Sequence, residues 1–177
     1  MFEEFIAAGS GGQGVLLIGQ IIAYSAICKG LEASWIPSYG PEMRGGTANC
    51  SFIISDEEIG SPIVETPTIL FSMNQPSMDK FGMAVQDNGL IIANSSLVTN
   101  ITAKESIKVI KVPAAEIAHE LKNSKVENMI MLGAFLGVNP VITIDEAIQA
   151  LQAKIGAKPE IIALNRKAME KGAECVK

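Results

Sequence analysis

Short apolar runs alternate with glycine-rich or polar breaks along this chain, and the spacing of the apolar positions changes on the way. Glu4–Ala8 is a brief apolar run that ends on glycines, which predicts a strand. From Gly12 to Lys29 the pattern lengthens to that of a helix, closed by Gly30 in the left-handed capping position. Ala33–Ile36 predicts a second strand stopped by Pro37, and Ser38–Gly46 a loop. Thr47–Ser55 (TANCSFIIS) carries the branched and aromatic residues of a strand, followed by a turn over Asp56–Pro62 and a hairpin continuation at Ile63–Val64. Thr68–Met73 predicts a strand, Gln75–Val85 a helix capped by Asn74, and Leu90–Asn94 and Ile107–Val112 two more strands, the first entered through an Asn88-Gly89 turn. The C-terminal third reads as helices. Pro113 takes the first position of one ending at Leu121, and Asn128–Leu136 forms a second. Thr143-Ile144-Asp145-Glu146 is a capping box opening a third, to Ile155, and Lys158-Pro159 opens a last helix to about Gly172.

Strand–helix alternation through the first two-thirds predicts a three-layer, Rossmann-like α/β fold. The sheet is expected to be largely parallel, with helices on both faces, antiparallel character at TANCSFIIS and a helical C-terminal third. No linker or repeat interrupts residues 1–177, which are expected to form one domain. Val15–Cys28 and Met129–Leu136 are apolar all round. A helix of that kind is covered on both sides, so at least one of the two is expected to face a partner subunit; the alternative is cover from the C-terminal helices.

Composition narrows the function classes. Hydrophobic residues make up 48% of 177, but no uninterrupted stretch reaches the roughly 18 residues of a membrane span. The acidic start MFEEFIAAGS lacks the basic region of a secretory signal. A net charge of −5 with two arginines, Arg44 and Arg166, excludes a basic nucleic-acid surface. Cys28, Cys50 and Cys175 are scattered without a C-x-x-C, so this chain alone is expected to build neither an iron–sulfur cluster nor a structural zinc site. Their odd number points to a reducing, cytoplasmic setting. Cys28 and Cys50 lie in apolar runs and read as packing residues. His119, the one histidine, reads as a solvated helix-face residue.

Two stretches carry candidate chemistry. Gly9-Ser10-Gly11-Gly12-Gln13-Gly14 fits G-x-G-x-x-G, and strand, turn, helix and second strand follow in the order of a dinucleotide site. The acid for a ribose hydroxyl is missing from the end of the second strand, and Glu32 precedes that strand. The free N–H groups of Gly11–Gly14 are expected at the C-terminal edge of the sheet, where a helix dipole favours an anion; a turn that only lets helix and sheet approach is the alternative. The second stretch is PSYGPEMRGGTANC, residues 37–50. There Gly40, Gly45 and Gly46 frame Tyr39, Glu42 and Arg44, and a guanidinium so placed either binds a phosphate or carboxylate or braces the loop.

Together GSGGQGVLLIG and SYGPEMRGGTANCSFIIS, followed by SPIV, MNQPSMDKF and NMIMLGAFLG, resemble the gamma subunit of the 2-oxoacid:ferredoxin oxidoreductases, over nearly the whole chain from Gly9 to NRKAMEKG. The resemblance implies a subunit of an enzyme that oxidatively decarboxylates a 2-oxoacid with coenzyme A, giving acyl-CoA, carbon dioxide and reduced ferredoxin. It implies alpha, beta and ferredoxin-like delta partners that carry thiamine diphosphate, Mg²⁺ and iron–sulfur clusters. It leaves this chain inactive alone; charge and span length speak against nucleic-acid or membrane partners, and exposed apolar helices are expected to make the isolated chain self-associate. The implied role is assembly and shaping of the active-site approach. Gly9, Gly11, Gly12, Gln13, Gly14, Tyr39, Glu42, Arg44, Gly45 and Gly46 are the expected contacts to coenzyme A, Arg44 as the anion contact and Gln13 as a side-chain hydrogen-bonder. No catalytic residue and no metal ligand are assigned. The loop SYGPEMRGGTANC looks more like the 2-oxoglutarate and branched-chain oxoacid branch than the pyruvate branch, and 2-oxoglutarate is the expected substrate. A freestanding dinucleotide-binding oxidoreductase is the alternative.

Overall fold

The computed structural model describes residues 1–39 and 46–176. Six strands form one sheet: β1 (Phe2–Ser10), β2 (Glu32–Tyr39), β3 (Thr47–Ser55), β4 (Ile69–Ser72), β5 (Leu90–Asn94) and β6 (Lys108–Val112), in the order β2-β3-β1-β4-β5-β6. β4, β5 and β6 add to β1 in parallel. β3 lies antiparallel between β1 and β2, so it alone runs against the rest and the sheet is largely parallel.

The strands bury residues on both faces, which is why their apolar runs are nearly continuous. One face presents Phe5, Ala7, Cys50, Phe52, Phe71 and Ile92 to the helices α1 (Val15–Cys28), α3 (Ala114–Glu120), α4 (Glu127–Val138), α5 (Ile144–Ile155) and α6 (Pro159–Glu174). The other presents Ile6, Ala8, Leu70, Ile91 and Ala93 to α2 (Gln75–Phe81), to Val85 after a short 3₁₀ turn, and to Val98 and Ile107 in the connection before β6. Helices thus cover both faces, but unequally. At the centre of the thick layer Phe5 stacks on Phe52 with ring centroids 4.5 Å apart, and Phe135 of α4 meets Phe5 and Phe71 edge-on at 5.7 and 5.3 Å. Each buried phenylalanine contributes about 1.5–3 kcal/mol from lost apolar exposure.

Helix ends follow local chemistry. Asn74 caps α2 by accepting from Ser77 N at 3.1 Å. Thr143 and Glu146 form the expected capping box of α5, which ends at Gly156 in the left-handed conformation. Pro113 stands one place earlier than expected, as the residue preceding α3.

Two expectations for the strands change. Pro37 does not stop β2; it sits inside it opposite Cys50. β2 is the edge strand, so a residue without an N–H is tolerated on its open side. Ile63–Val64 does not continue a hairpin, because the antiparallel partners of β3 are β1 and β2. α4 needs no partner subunit: every residue from Asn128 to Phe135 is buried, chiefly under α6. The two helices touch through glycines. A Cβ at Gly133 would overlap the Met169 backbone, and one at Gly172 the Ile130 carbonyl. α1 keeps an open side, where Ile27 is 56% exposed.

Candidate functional site at the glycine turn

β1 ends at Ser10, and its register with β3 places Ser10 opposite Thr47. That pairing brings the end of the second sequence motif to the glycine turn. The Gly11 N–H donates to the Gly46 carbonyl at 2.9 Å, which closes the junction. Tyr39 is the last residue of β2. Glu42, Arg44 and Gly45 lie outside the described residues.

Within the turn the polar groups are largely committed inward. Gln13 N–H donates to Ser10 O at 3.1 Å, and Gln13 Oε1 accepts from Ser10 N at 2.7 Å. Asn74 Nδ2 donates to Ser10 Oγ at 2.8 Å and to Gln13 Oε1 at 3.3 Å. Gly14 precedes α1 with φ +71° in the left-handed region, and a Cβ there would overlap the Asn128 carboxamide, so both conformation and space require glycine. Asn128 Nδ2 donates to the Gly14 carbonyl at 3.2 Å. Gln13 therefore spends its carbonyl oxygen on bracing the turn, and the amides of Gly11 and Gln13 are occupied rather than free. The amides of Gly12, Gly14 and the first helical turn, Val15–Leu17, have no acceptor among the described residues.

The residues that carry these amides line a cleft of about 410 Å³, together with Gln20 of α1 and Thr47 and Ala48 of β3. Amides without an acceptor among the described residues, at a helix start and reinforced by the dipole of a 14-residue helix, favour an anion such as phosphate. The apolar wall suits an organic ligand that carries one. Cys50 is fully buried beneath α1, its thiol against the Val15 carbonyl, and burial pushes it up to about 12, with the Trp35 indole pulling slightly the other way. Cys28 is exposed, not a packing residue. No group of three His, Cys, Asp or Glu residues is placed to hold a metal among the described residues, and no helix there is long and apolar enough to cross a membrane.

The geometry also tests the dinucleotide reading. A ribose-binding acid needs the second strand beside the first. Here β3 fills that place and moves β2 to the sheet edge. Glu32 pairs with Ser55, at the end of the sheet where β1 begins, on the order of 25 Å from the turn.

A family model described as pyruvate ferredoxin/flavodoxin oxidoreductase matches residues 4–175. The chain belongs to this family. Among curated relatives in the family, the ketoisovalerate oxidoreductase subunit VorA of Methanothermobacter marburgensis is 39% identical over 168 residues, 94% of this chain and 35% of that protein. The chain thus spans about a third of the length of that relative. The 2-oxoglutarate synthase subunit KorC of Methanocaldococcus jannaschii is 32% identical over 180 residues, 100% of this chain and 95% of that one. The crystal structure of the gamma subunit of a keto/oxoacid ferredoxin oxidoreductase from Geobacter sulfurreducens has a TM-score of 0.82 at 28% identity, covering 98% of both chains.

Of the residues singled out from sequence, Gly9, Gly11, Gly12, Gln13, Gly14 and Gly46 meet at one sheet edge. Sequence reasoning missed Asn128, Gln20 and Thr47, and saw Asn74 only as a cap. The signal for Asn128 was present: it is the one polar position within the apolar core of α4.

Proposed function

We propose that this chain, as one domain, is the gamma subunit of a cytoplasmic 2-oxoacid:ferredoxin oxidoreductase and forms the wall along which coenzyme A approaches. It acts within a complex of alpha, beta and ferredoxin-like delta partners, which hold thiamine diphosphate, Mg²⁺ and the iron–sulfur clusters. On those partners the thiamine cofactor supplies the carbanion chemistry of decarboxylation. The observation that carries the reading is that the glycine turn and Gly46–Ala48, the end of the second family motif, meet at one cleft, fastened by the Gly11–Gly46 hydrogen bond. Its donor amides suit the phosphates of coenzyme A, and Leu16 and Leu17 offer apolar contact to the rest of the molecule.

For the substrate we favour 2-oxoglutarate, on the end-to-end correspondence with KorC. A branched-chain 2-oxoacid is the second reading, favoured by the higher identity to VorA over the shared span. The complex purified anaerobically through a tag on this chain should reduce a viologen dye only with a 2-oxoacid and coenzyme A, fastest with 2-oxoglutarate. A chain that purifies alone and carries a nucleotide would sink the reading. Gln20→Glu adds a negative charge to the cleft without changing side-chain shape. It should raise KM for coenzyme A about three- to ten-fold, a cost on the order of 1 kcal/mol, and leave KM for the oxoacid unchanged in steady-state assays.

A further inference from the structure

Asn128 is an expensive residue where it stands. It is buried at the start of a helix whose following residues are all apolar, where a polar group costs free energy unless hydrogen-bonded. Its Oδ1 accepts from the Met129 amide at 3.0 Å, and its Nδ2 reaches across to the Gly14 carbonyl at 3.2 Å. Asn74 makes the matching reach from the other side. Its Oδ1 caps α2, while its Nδ2 donates to Ser10 Oγ and Gln13 Oε1. Two carboxamides, from β4–α2 and from α4, thus take up oxygen atoms of the turn. The Ser10 carbonyl is taken by Gln13 N, and Ile18 N adds a longer bond to Gly14 O at 3.4 Å.

The consequence is a sorting of polarity. Every peptide unit offers both an acceptor and a donor. With the carbonyls of Ser10 and Gly14 paired inward, two acceptors of the turn are withdrawn, while the amides of Gly12, Gly14 and Val15–Leu17 have no acceptor among the described residues. We propose that Asn74 and Asn128 are positioning residues that clamp the glycine turn in this donor-outward state and so set its selectivity for an anion. The proposal rests on the reading of the cleft as the coenzyme A approach, but it concerns the turn itself.

Asn128→Asp keeps the shape and replaces the donor with a carboxylate oxygen facing the Gly14 carbonyl. Asn74→Asp keeps the α2 cap, since a carboxylate accepts from Ser77 N, and removes only the donations to the turn; it serves if Asn128→Asp does not fold. Both are measured in the assembled complex. Hydrogen–deuterium exchange should rise in the peptide covering residues 10–17 and stay unchanged over α5. KM for coenzyme A should rise at least ten-fold, with kcat within two-fold and KM for the oxoacid unchanged. Unchanged exchange at residues 10–17 in a folded variant overturns the clamp, whatever happens to KM. Raised exchange with an unchanged KM for coenzyme A upholds the clamp and instead refutes the assignment of the cleft to coenzyme A.

Discussion

Single residues in this chain separate by whether a neighbour across the fold needs them. Cys50 and Cys28 look alike in sequence, each in an apolar run. The fold puts Cys50 under Gly19 of α1, where a side chain on the helix would strike its sulfur, and leaves Cys28 at the open end of the same helix. A thiol pushed up to about 12 holds almost no thiolate at pH 8. Iodoacetamide at that pH should therefore modify exposed Cys28 and spare Cys50 until the protein is denatured, as peptide mass mapping would record. Gln13 shows the same limit on local reading. Its place in the motif suggested a side chain offered to a ligand, yet nothing local reveals that Ser10 and Asn74 lie within reach of its carbonyl oxygen. The glycines were legible because φ above zero is a local demand; the carboxamides were not, because their partners are up to 114 residues away.

Elements were readable wherever their ends are written in short-range chemistry. β3 and β5 have the bounds their branched and apolar runs imply, and α5 starts at its capping box and stops at Ile155. β2 was cut short because the tolerance of Pro37 depends on an edge position, a fact of sheet order. The all-round apolarity of α4 likewise signalled burial without saying by what, and α6 is the answer. That contact is close enough that Gly172→Ala, which would drive a methyl into the Ile130 carbonyl, should cost about 1–3 kcal/mol in urea unfolding. Gly60→Ala, where a Cβ meets open space, should be nearly neutral. The start of α5 carries a pH dependence. The Thr143 N–H, at 2.7 Å, holds the Glu146 carboxyl below its ordinary value of 4.5, and Lys29 adds to this. A lowered folded-state value means the stabilisation is present above about pH 4.5 and is lost as the pH falls through the folded value. Melting temperatures of wild type and Glu146→Gln should therefore differ near pH 6 and converge in acid.

At the scale of the whole molecule one strand decides the chemistry. The order strand, glycine turn, helix, strand was read correctly, and it is compatible with a dinucleotide site until β3 is seen between β1 and β2. Strand order is a long-range property that local pattern does not encode, so only the absent acid hinted at the difference. With Glu32 at the far end of the sheet, titration of the protein with NADH should give no saturable fluorescence change at millimolar concentration. The meeting of the two motifs is of the same kind: it follows from the β1–β3 register, not from any spacing along the chain. The aromatic centre has a bearing on how the protein is made. Phe5, Phe52 and Phe71 belong to strands made before Phe135, which caps them, and before the α6 helix that covers α4. Until β6 is made, α1 alone of the five helices of that layer is available to lie on the apolar side of the nascent sheet. The aromatic centre therefore cannot close as the sheet is made, and its packing waits for α4 and α6.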